Sequence, residues 1–306
     1  DNIDVSGATI TVGTGVATAG NSDIDLDLDG TGVATDVVTV AGAGAIDLDV
    51  NGTGANLIET VNLSGTTAAV DYNMVSSLPT TINLTGSQSV TVSQTADGLD
   101  NLDLNDNLTG GTSTVAINTV ASAAVVATNV DADLFILEVE AGLDGANLIT
   151  VATGANFSLA SDQTGFDVAG SAAGATINVA VADDTAANGT PILIEVDDMI
   201  ASTNITTVNI DATVGSFDAD SVTLATTGAL NLTGTGAFDL GDVTAASVTS
   251  VSTGVVTLDT ANAALDAITT GAGAYQLTLY ENTAVRVLIA GDGKDVVSAY
   301  KVAVSH

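Results

Sequence analysis

The sequence lacks the residues on which most catalytic and disulfide-stabilised proteins depend. Its 306 residues include no cysteine, no tryptophan, two prolines and one histidine, His306 at the chain end. The absence of cysteine excludes disulfides, thiolate chemistry and cysteine-ligated zinc. A single terminal histidine excludes a Ser-His-Asp triad and a histidine metal site inside the fold. We therefore expect that this protein is not an enzyme.

Basic side chains are nearly absent as well. Arg286, Lys294 and Lys301 are the only arginine and lysine residues, and the net charge is −34. Nucleic acid and anionic lipid head groups bind basic patches, so both are poor partners for this chain. No apolar run reaches about 18 residues, so we expect no membrane insertion. The chain begins at Asp1 without a signal-peptide pattern, which leaves processing, a fragment or a C-terminal export signal open.

Short strands recur at a nearly fixed spacing. Residues 23–32 alternate aspartate with isoleucine or leucine and end in Gly-Thr-Gly, and residues 45–54 repeat the pattern 22 positions later. Alternation with a period of two predicts strands that have one apolar face. Repeats of this kind predict an all-β fold, a parallel β-solenoid with coils of about 20–23 residues. Tandem β-sandwich domains are the alternative.

The regularity of the repeat divides the chain into three regions. Residues 1–128 and 201–306 are regular, whereas residues 129–200 contain longer strands without a clear period. We expect the two regular regions to share one architecture and the middle region to be a wider coil or an inserted module. A leucine-rich repeat fits residues 99–107, but strong helix formers do not follow them, which favours a solenoid of strands alone.

Two features of the second half resemble known secreted proteins. Residues 232–243 and 247–251 resemble the Thr/Gly/Ala-rich strands of bacterial surface-layer (S-layer) proteins and of related type I-secreted RTX proteins. Residues 290–298, Ala-Gly-Asp-Gly-Lys-Asp-Val-Val-Ser, are similar to the RTX nonapeptide G-G-x-G-x-D-x-U-x, with alanine in place of the first glycine. The nonapeptide occurs once, whereas the family has tandem copies.

The RTX resemblance implies a calcium site at this C-terminal turn. Carried over to this sequence, it implies that the carbonyl groups of Gly291 and Gly293 and the carboxylate of Asp295 bind the ion. Calcium accepts carbonyl oxygens readily but requires six to eight oxygen ligands, so one copy does not complete a site. A plain Gly-Asp-Gly hairpin turn is the alternative.

The aspartate-rich strands provide further candidate calcium ligands. Stacked coils lie about 4.8 Å apart, and a 22-residue register predicts that Asp25 lies over Asp47 and Asp27 over Asp49, with Asp29 next along the strand. Like charges at this distance repel by on the order of 1 kcal/mol in water and by several times more near a protein surface. A bridging Ca²⁺ would convert this repulsion into a contact between coils. A solvated acidic face with diffuse counterions is the alternative.

Asn-x-Ser/Thr triplets match the glycosylation acceptor pattern. Most of them lie in a recurring Asn-Leu-Ser/Thr strand end, so we interpret them as asparagine ladders between stacked coils. The triplets begin at Asn51, Asn62, Asn83, Asn107, Asn156, Asn188, Asn204 and Asn231.

These observations favour an extracellular structural protein of the cell surface that self-assembles into a layer or filament and is stabilised by calcium. Its expected partners are copies of itself, with cell-surface polysaccharide as a further candidate. One alternative is a calcium-dependent secreted adhesin in which residues 129–200 form the binding surface. Another is a carbohydrate-active β-helix, although the aromatic or basic groups that usually hold sugars are scarce.

Overall fold

The chain folds into strands and short turns. The computed structural model describes the strands of residues 1–80 and, from residue 81 on, all residues except 101, 119–120, 139–142, 144, 183–192, 202–203, 261–264, 266, 281–285, 289–292 and 301–306. Within these described residues the helical segments are two 3₁₀ turns, Ala96–Leu99 and Gly145–Asn147. None is a helix long and apolar enough to cross a membrane.

The chain is divided into two compact units. The first unit contains residues 1–119 and 125–136, and the second contains residues 120–124 and 137–306. The strands of the first unit are β1 (Ile3–Val5), β2 (Thr9–Val12), β3 (Ser22–Asp25), β4 (Leu28–Gly30), β5 (Asp36–Gly42), β6 (Ile46–Val50), β7 (Ile58–Gly65), β8 (Val70–Met74), β9 (Thr81–Gly86), β10 (Val90–Gln94), β11 (Asp103–Leu108), β12 (Ser113–Ile117) and β13 (Val125–Ala127). The division between the units falls within β14 (Leu134–Leu137). The strands of the second unit are β15 (Ile149–Val151), β16 (Asn156–Leu159), β17 (Phe166–Gly170), β18 (Ala175–Val181), β19 (Leu193–Ala201), β20 (Ile205–Ala212), β21 (Ser216–Leu224), β22 (Ala229–Gly234), β23 (Phe238–Thr244), β24 (Ser247–Ser250), β25 (Val256–Thr260), β26 (Ala267–Thr269), β27 (Tyr275–Tyr280), β28 (Arg286–Leu288) and β29 (Val296–Tyr300).

The first unit alternates between two parallel sheets. Sheet I has the order β11-β9-β7-β5-β2, and sheet II has the order β12-β10-β8-β6-β3. Neighbours in each sheet are mostly two strands apart in sequence, so the chain passes from one sheet to the other and back before each new coil begins. Strands β1 and β4 form a separate parallel pair. This is the arrangement of a parallel β-solenoid.

The second unit is built in the same way. Sheet III has the order β28-β26-β24-β22-β20-β18-β16, and sheet IV has the order β29-β27-β25-β23-β21-β19-β17-β15. The coils contain about 22 residues. The predicted all-β parallel solenoid is therefore confirmed, and the tandem β-sandwich alternative is wrong, because such sandwiches are made of antiparallel sheets.

Alternating side chains separate the core of each unit from its surface. In β20, Ile205, Val208, Ile210 and Ala212 are buried, and the threonine and asparagine residues between them are only half-buried. In sheet IV large apolar side chains stack from coil to coil, because Phe217 pairs with Phe238, which pairs with Val256. The inward residues supply the hydrophobic stabilisation, and the outward ones remain available for contacts at the surface.

Asparagine side chains form ladders between stacked coils, as the sequence predicted. After the first asparagine of each ladder, every amide nitrogen donates to the side-chain carbonyl oxygen of the asparagine one coil earlier, at 2.7–3.1 Å. The first unit contains the ladder Asn62, Asn83 and Asn105, and the second contains Asn156, Asn178, Asn209 and Asn231. Of the other triplet positions, Asn204 has a φ of 73° and donates to the Gly170 carbonyl, Asn107 is exposed, and Asn51 and Asn188 lie outside the described residues.

The outer side of sheet III, from β16 to β26, carries small uncharged side chains in two columns, which we call the neutral face. One column is Thr176, Thr207, Ala229, Ser247 and Ala267. The other is Asn156, Asn178, Asn209, Asn231, Thr249 and Thr269.

Several predicted registers are wrong by two residues. The spacing of similar strands in the sequence predicts that Leu102, 20 positions after Ile82, pairs with it, but Ile82 lies opposite Leu104. The same spacing predicts that Leu277, 21 positions after Val256, pairs with Val256, but Leu277 lies opposite Leu258. A shift of two residues keeps every side chain on its own face of the strand, so hydrophobic alternation cannot distinguish the two registers.

One coil of the second unit is longer than its neighbours. Asn178 and Asn209 are adjacent in the ladder although 31 residues separate them, whereas Asn209 and Asn231 are 22 residues apart. The additional residues lie within the region in which the sequence predicted a wider coil or an insertion. The boundaries at 128/129 and 200/201 mark changes in the repeat and remain predictions.

Candidate functional site

The aspartates of the first repeat meet in a different register from the predicted one. Asp23 lies opposite Asp47 and Asp25 lies opposite Asp49 in the pairing of β3 with β6. The prediction that Asp25 lies over Asp47 is therefore wrong, again by two residues, because both registers keep the aspartates on one face. Asp27, predicted to lie over Asp49, is outside the described residues.

The alternating stretch also does not continue as one strand. It is divided into β3, which belongs to sheet II, and β4, which pairs with β1 so that Asp29 lies opposite Asp4. Asp25 and Asp29 thus belong to strands of different sheets. Period-two alternation could not show this, because it does not report the sheet to which each strand belongs.

Acidic positions continue into the next coil of sheet II. Asp47 lies opposite Asp71, and Asp49 lies opposite Asn73. Two in-register columns therefore cross β3, β6 and β8, with neighbouring backbones about 4.8 Å apart. Carboxylate and amide oxygens are among the ligands that calcium prefers. We call these two columns the aspartate columns.

The C-terminal turn has a structural explanation that the RTX resemblance did not provide. A side chain on Gly293 would collide with the carbonyl oxygen of Gly273, and one on Gly273 would collide with that of Gly254. The same relation joins Gly254 to Gly236 and Gly236 to Gly215, so Gly293 is the last described member of a glycine column. Close backbone approach between coils accounts for this glycine without a metal ion. Gly291 lies outside the described residues.

Asp295 has a hydrogen-bonding role within the coil stack. In three successive coils an N–H within the first two residues of a sheet IV strand donates to a carbonyl oxygen of the following coil; the donors are Phe217, Phe238 and Val256. The N–H of Tyr275 donates instead to Oδ1 of Asp295, at 3.1 Å. Oδ1 of Asp295 therefore takes the place that a backbone carbonyl oxygen has in the other three coils. Oδ2 can accept a hydrogen bond from a different partner.

A groove in the first unit brings three carboxylates together that the sequence analysis did not select. This open groove of about 420 Å³ is lined by Asp106, Leu108, Thr109, Gly110, Gly111, Asp131 and Asp133. Oδ1 of Asp106 accepts from the N–H of Leu108 at 2.8 Å. Asp131 and Asp133 are exposed. The groove is therefore acidic and accessible to solvent.

Ser113 connects two of these aspartates beneath the groove. Its side chain is 1% exposed, and its hydroxyl donates to Oδ2 of Asp106 at 2.6 Å. Its N–H donates to Oδ2 of Asp133 at 3.0 Å, and its Oγ accepts from the N–H of Asp133 at 2.9 Å. Ser113, Asp106 and Asp133 thus make several of their possible hydrogen bonds to one another.

A break in the core pattern could have identified this groove from the sequence. Asp106 lies opposite Leu84, and Ser113 lies opposite Val90, so both occupy columns that are aliphatic in the preceding coils. An aspartate where the repeat expects leucine is the signal. Among the residues that the structure describes, however, no three acidic or histidine side chains converge closely enough to hold a metal ion.

The outer side of sheet IV is strongly acidic. We call it the acidic face; its carboxylates belong to Glu195, Asp197, Asp198, Asp218, Asp220, Asp239, Asp242 and Asp259. Glu195 lies opposite Asp218, and Asp218 lies opposite Asp239. Burial raises the pKa of Asp218 above its ordinary value, and the charges of Asp239, Glu195 and Asp220 raise it further. Like charges are therefore stacked in this column without a basic side chain among them.

Comparison with known proteins does not link this chain to a family. A scan against protein-family models gives no match, and searches of curated proteins and of solved structures give none either.

Proposed function

We propose that this protein is an extracellular structural subunit that self-assembles into a cell-surface layer or filament and that calcium stabilises it. The observation that carries the proposal is the repetition of outward positions along parallel, in-register coils, which turns single side chains into columns of identical groups. Periodic surfaces of this kind suit contacts between copies, because each repeat can make the same contact. The resemblance of residues 232–243 and 247–251 to surface-layer and RTX proteins supports the same function.

The proposed role of calcium follows from the aspartate columns. Asp23, Asp47 and Asp71 lie in register on three neighbouring strands, and no basic side chain occurs before Arg286. Repulsion between these carboxylates therefore has no counter-charge within the first 285 residues. Divalent cations bound between neighbouring strands of the aspartate columns would remove this repulsion and join the coils.

Calcium titration of the purified protein tests the proposal. We expect sedimentation velocity to show assemblies as calcium rises, negative-stain microscopy to show layers or fibres, and EDTA to disperse them. Magnesium at the same ionic strength is the control, because Mg²⁺ retains its water ligands more strongly. Protein that stays monomeric at all calcium concentrations would contradict the proposal.

Paired substitutions test whether the aspartate columns bind the ion. The double variant Asp47→Asn, Asp71→Asn should lose most of the calcium response. The double variant Asp103→Asn, Glu138→Gln removes the same charge from exposed positions outside the columns and should retain it. Equal responses from the two variants would show that calcium acts only on the net charge.

Removing calcium should also lower the thermal stability of the single chain. A ligand present at about 100 times its Kd stabilises the folded state by about 2.7 kcal/mol. EDTA should therefore lower the Tm measured by circular dichroism at low ionic strength. An unchanged Tm would exclude calcium as a link between coils.

A calcium-dependent secreted adhesin is the second candidate function. The acidic groove of Asp106, Asp131 and Asp133 favours it, because an open polar groove can hold a hydroxyl-rich ligand through hydrogen bonds or a shared cation. Saturable binding of a glycan by monomers, lost in Asp131→Asn but not in Asp103→Asn, would support the adhesin. Assembly without such binding would favour the structural subunit.

A further inference from the structure

The neutral face is unusual in a chain of net charge −34. Among the described outward side chains of the sheet III strands β16, β18, β20, β22, β24 and β26, Asp211 is the only carboxylate. It lies beside the two columns rather than in them. Its Oδ1 accepts from the N–H and the hydroxyl of Thr213, within its own turn. Two copies of the chain can therefore bring these faces together without placing carboxylates opposite one another.

The spacing of the face matches a second copy of itself. Its rungs repeat at the strand spacing of about 4.8 Å, and an identical face repeats at the same distance. Stacked identical side chains, asparagine ladders among them, can interdigitate between paired sheets. Asn209 donates once and accepts once within the ladder, at 2.7 and 2.8 Å. An amide has two N–H groups and two lone pairs, so Asn209 can also bond across a contact.

We propose that the neutral face is a self-association surface that packs against the neutral face of a second copy. This inference rests on the self-assembly proposed above and identifies the surface that makes the contact. The two columns carry no carboxylate, and an identical face has the same strand spacing. Both properties favour a second copy of the chain as the partner that binds the neutral face. The contact is isologous, so both copies use the same residues.

The size of the face predicts a weak contact. Six strands extend over about 24 Å, and the two columns, which take up three residues of each strand, cover about 10 Å along it. The face therefore buries roughly 240 Å² per copy, less than a third of what a standard stable interface buries. A single pair should dissociate readily, and repeated contacts within an assembly should add to its strength.

A charge placed on the face tests the inference. Ala229 is half-buried in the centre of the face, outside the asparagine ladder, so Ala229→Glu leaves every ladder bond in place. Thr223→Glu adds the same charge to the outer side of sheet IV and is the matched control. We expect Ala229→Glu to raise the protein concentration needed for half-assembly by at least about tenfold, a change that corresponds to about 1.4 kcal/mol. Thr223→Glu should assemble like the unmodified chain, and circular dichroism should show both variants to be folded at the temperature of the assay.

Cysteine chemistry gives a second measurement, because the chain contains no cysteine of its own. Under assembly conditions, Ala229→Cys should form disulfide-linked dimers and Thr223→Cys should not. Assembly of Ala229→Glu at the same concentration as the unmodified chain, or equal cross-linking of the two cysteine variants, would overturn the inference and leave the proposed self-assembly intact. If the unmodified chain remains monomeric under every condition, both proposals fail.

Discussion

The two sheets of the second unit share one core and one coil repeat, but their outer faces differ in charge. The neutral face carries asparagine, threonine, serine and alanine. The acidic face carries carboxylates on each of the strands β19, β21, β23 and β25. Along the neutral face neighbouring asparagines donate and accept hydrogen bonds, whereas in one column of the acidic face Glu195, Asp218 and Asp239 repel one another. The comparison shows that one solenoid can stabilise its coils through one outer face and carry an electrostatic cost on the other.

The largest expected effect comes from the turn that joins the two faces. Gly254 lies between β24 of sheet III and β25 of sheet IV, against the carbonyl oxygen of Gly236. Gly254→Ala should force the coils apart and lower the free energy of unfolding by about 3 kcal/mol, at the upper end for overpacking. Urea denaturation measures the change. Gly110→Ala is the control, because a Cβ there would lie 3.4 Å from the nearest atom, the carbonyl oxygen of Ser87, and stability should change little. A similar loss in both variants would contradict the role of the glycine column.

A smaller effect is expected in the asparagine ladder of the neutral face. Asn209→Asp removes the N–H that bonds Asn178 and places two oxygens opposite each other. We expect a loss of about 1–3 kcal/mol, the cost of an unpaired partly buried polar group. Asn107 is exposed and lies outside the ladder, so Asn107→Asp adds the same charge and should cost clearly less. Thermal denaturation distinguishes the two variants, and equal losses would show that only the added charge matters.

The smallest effect concerns the pH response of the acidic face. Burial raises the pKa of Asp218 above its ordinary value in the folded state, and the neighbouring charges of Asp239, Glu195 and Asp220 add to this. The folded protein therefore binds this proton more tightly than the unfolded chain does. The resulting stabilisation is fully present below the unfolded pKa of about 3.9 and is lost as the pH rises through the raised folded value.

The variant Asp218→Asn tests this pH response. It should raise the stability at pH 7 by about 0.2–1 kcal/mol, because like charges directly opposite each other are removed. It should also reduce the gain in stability that the unmodified chain shows on mild acidification, measured by urea denaturation at several pH values. An unchanged pH profile would mean that solvent already screens the column.

The sequence was sufficient to predict the ladders, because the recurring Asn-Leu-Ser/Thr strand end contains both the core residue and the outward asparagine. Asn83, for example, lies between the buried Ile82 and Leu84 and bonds to the asparagines of both neighbouring coils. Local alternation determines which side chains share a face, so the parallel fold and its outward polar residues could be predicted.

Registers and long-range contacts could not be predicted in the same way. The pairing of Asp23 rather than Asp25 with Asp47 depends on turn lengths, which alternation does not report. The groove of Asp106 and Asp133 depends on a contact with Ser113 across 20 residues, at a position where the repeat changes. The glycine column becomes apparent only when coils of different length are aligned by their backbones.

The ladder tolerates a large difference in coil length. Asn178, Asn209 and Asn231 occupy successive rungs although their separations are 31 and 22 residues. Alignment of the asparagines therefore does not depend on a constant number of residues per coil. One coil can contain nine residues more than the next while its asparagine keeps its place in the ladder, so coil length can vary without a change in the pattern of the outer face.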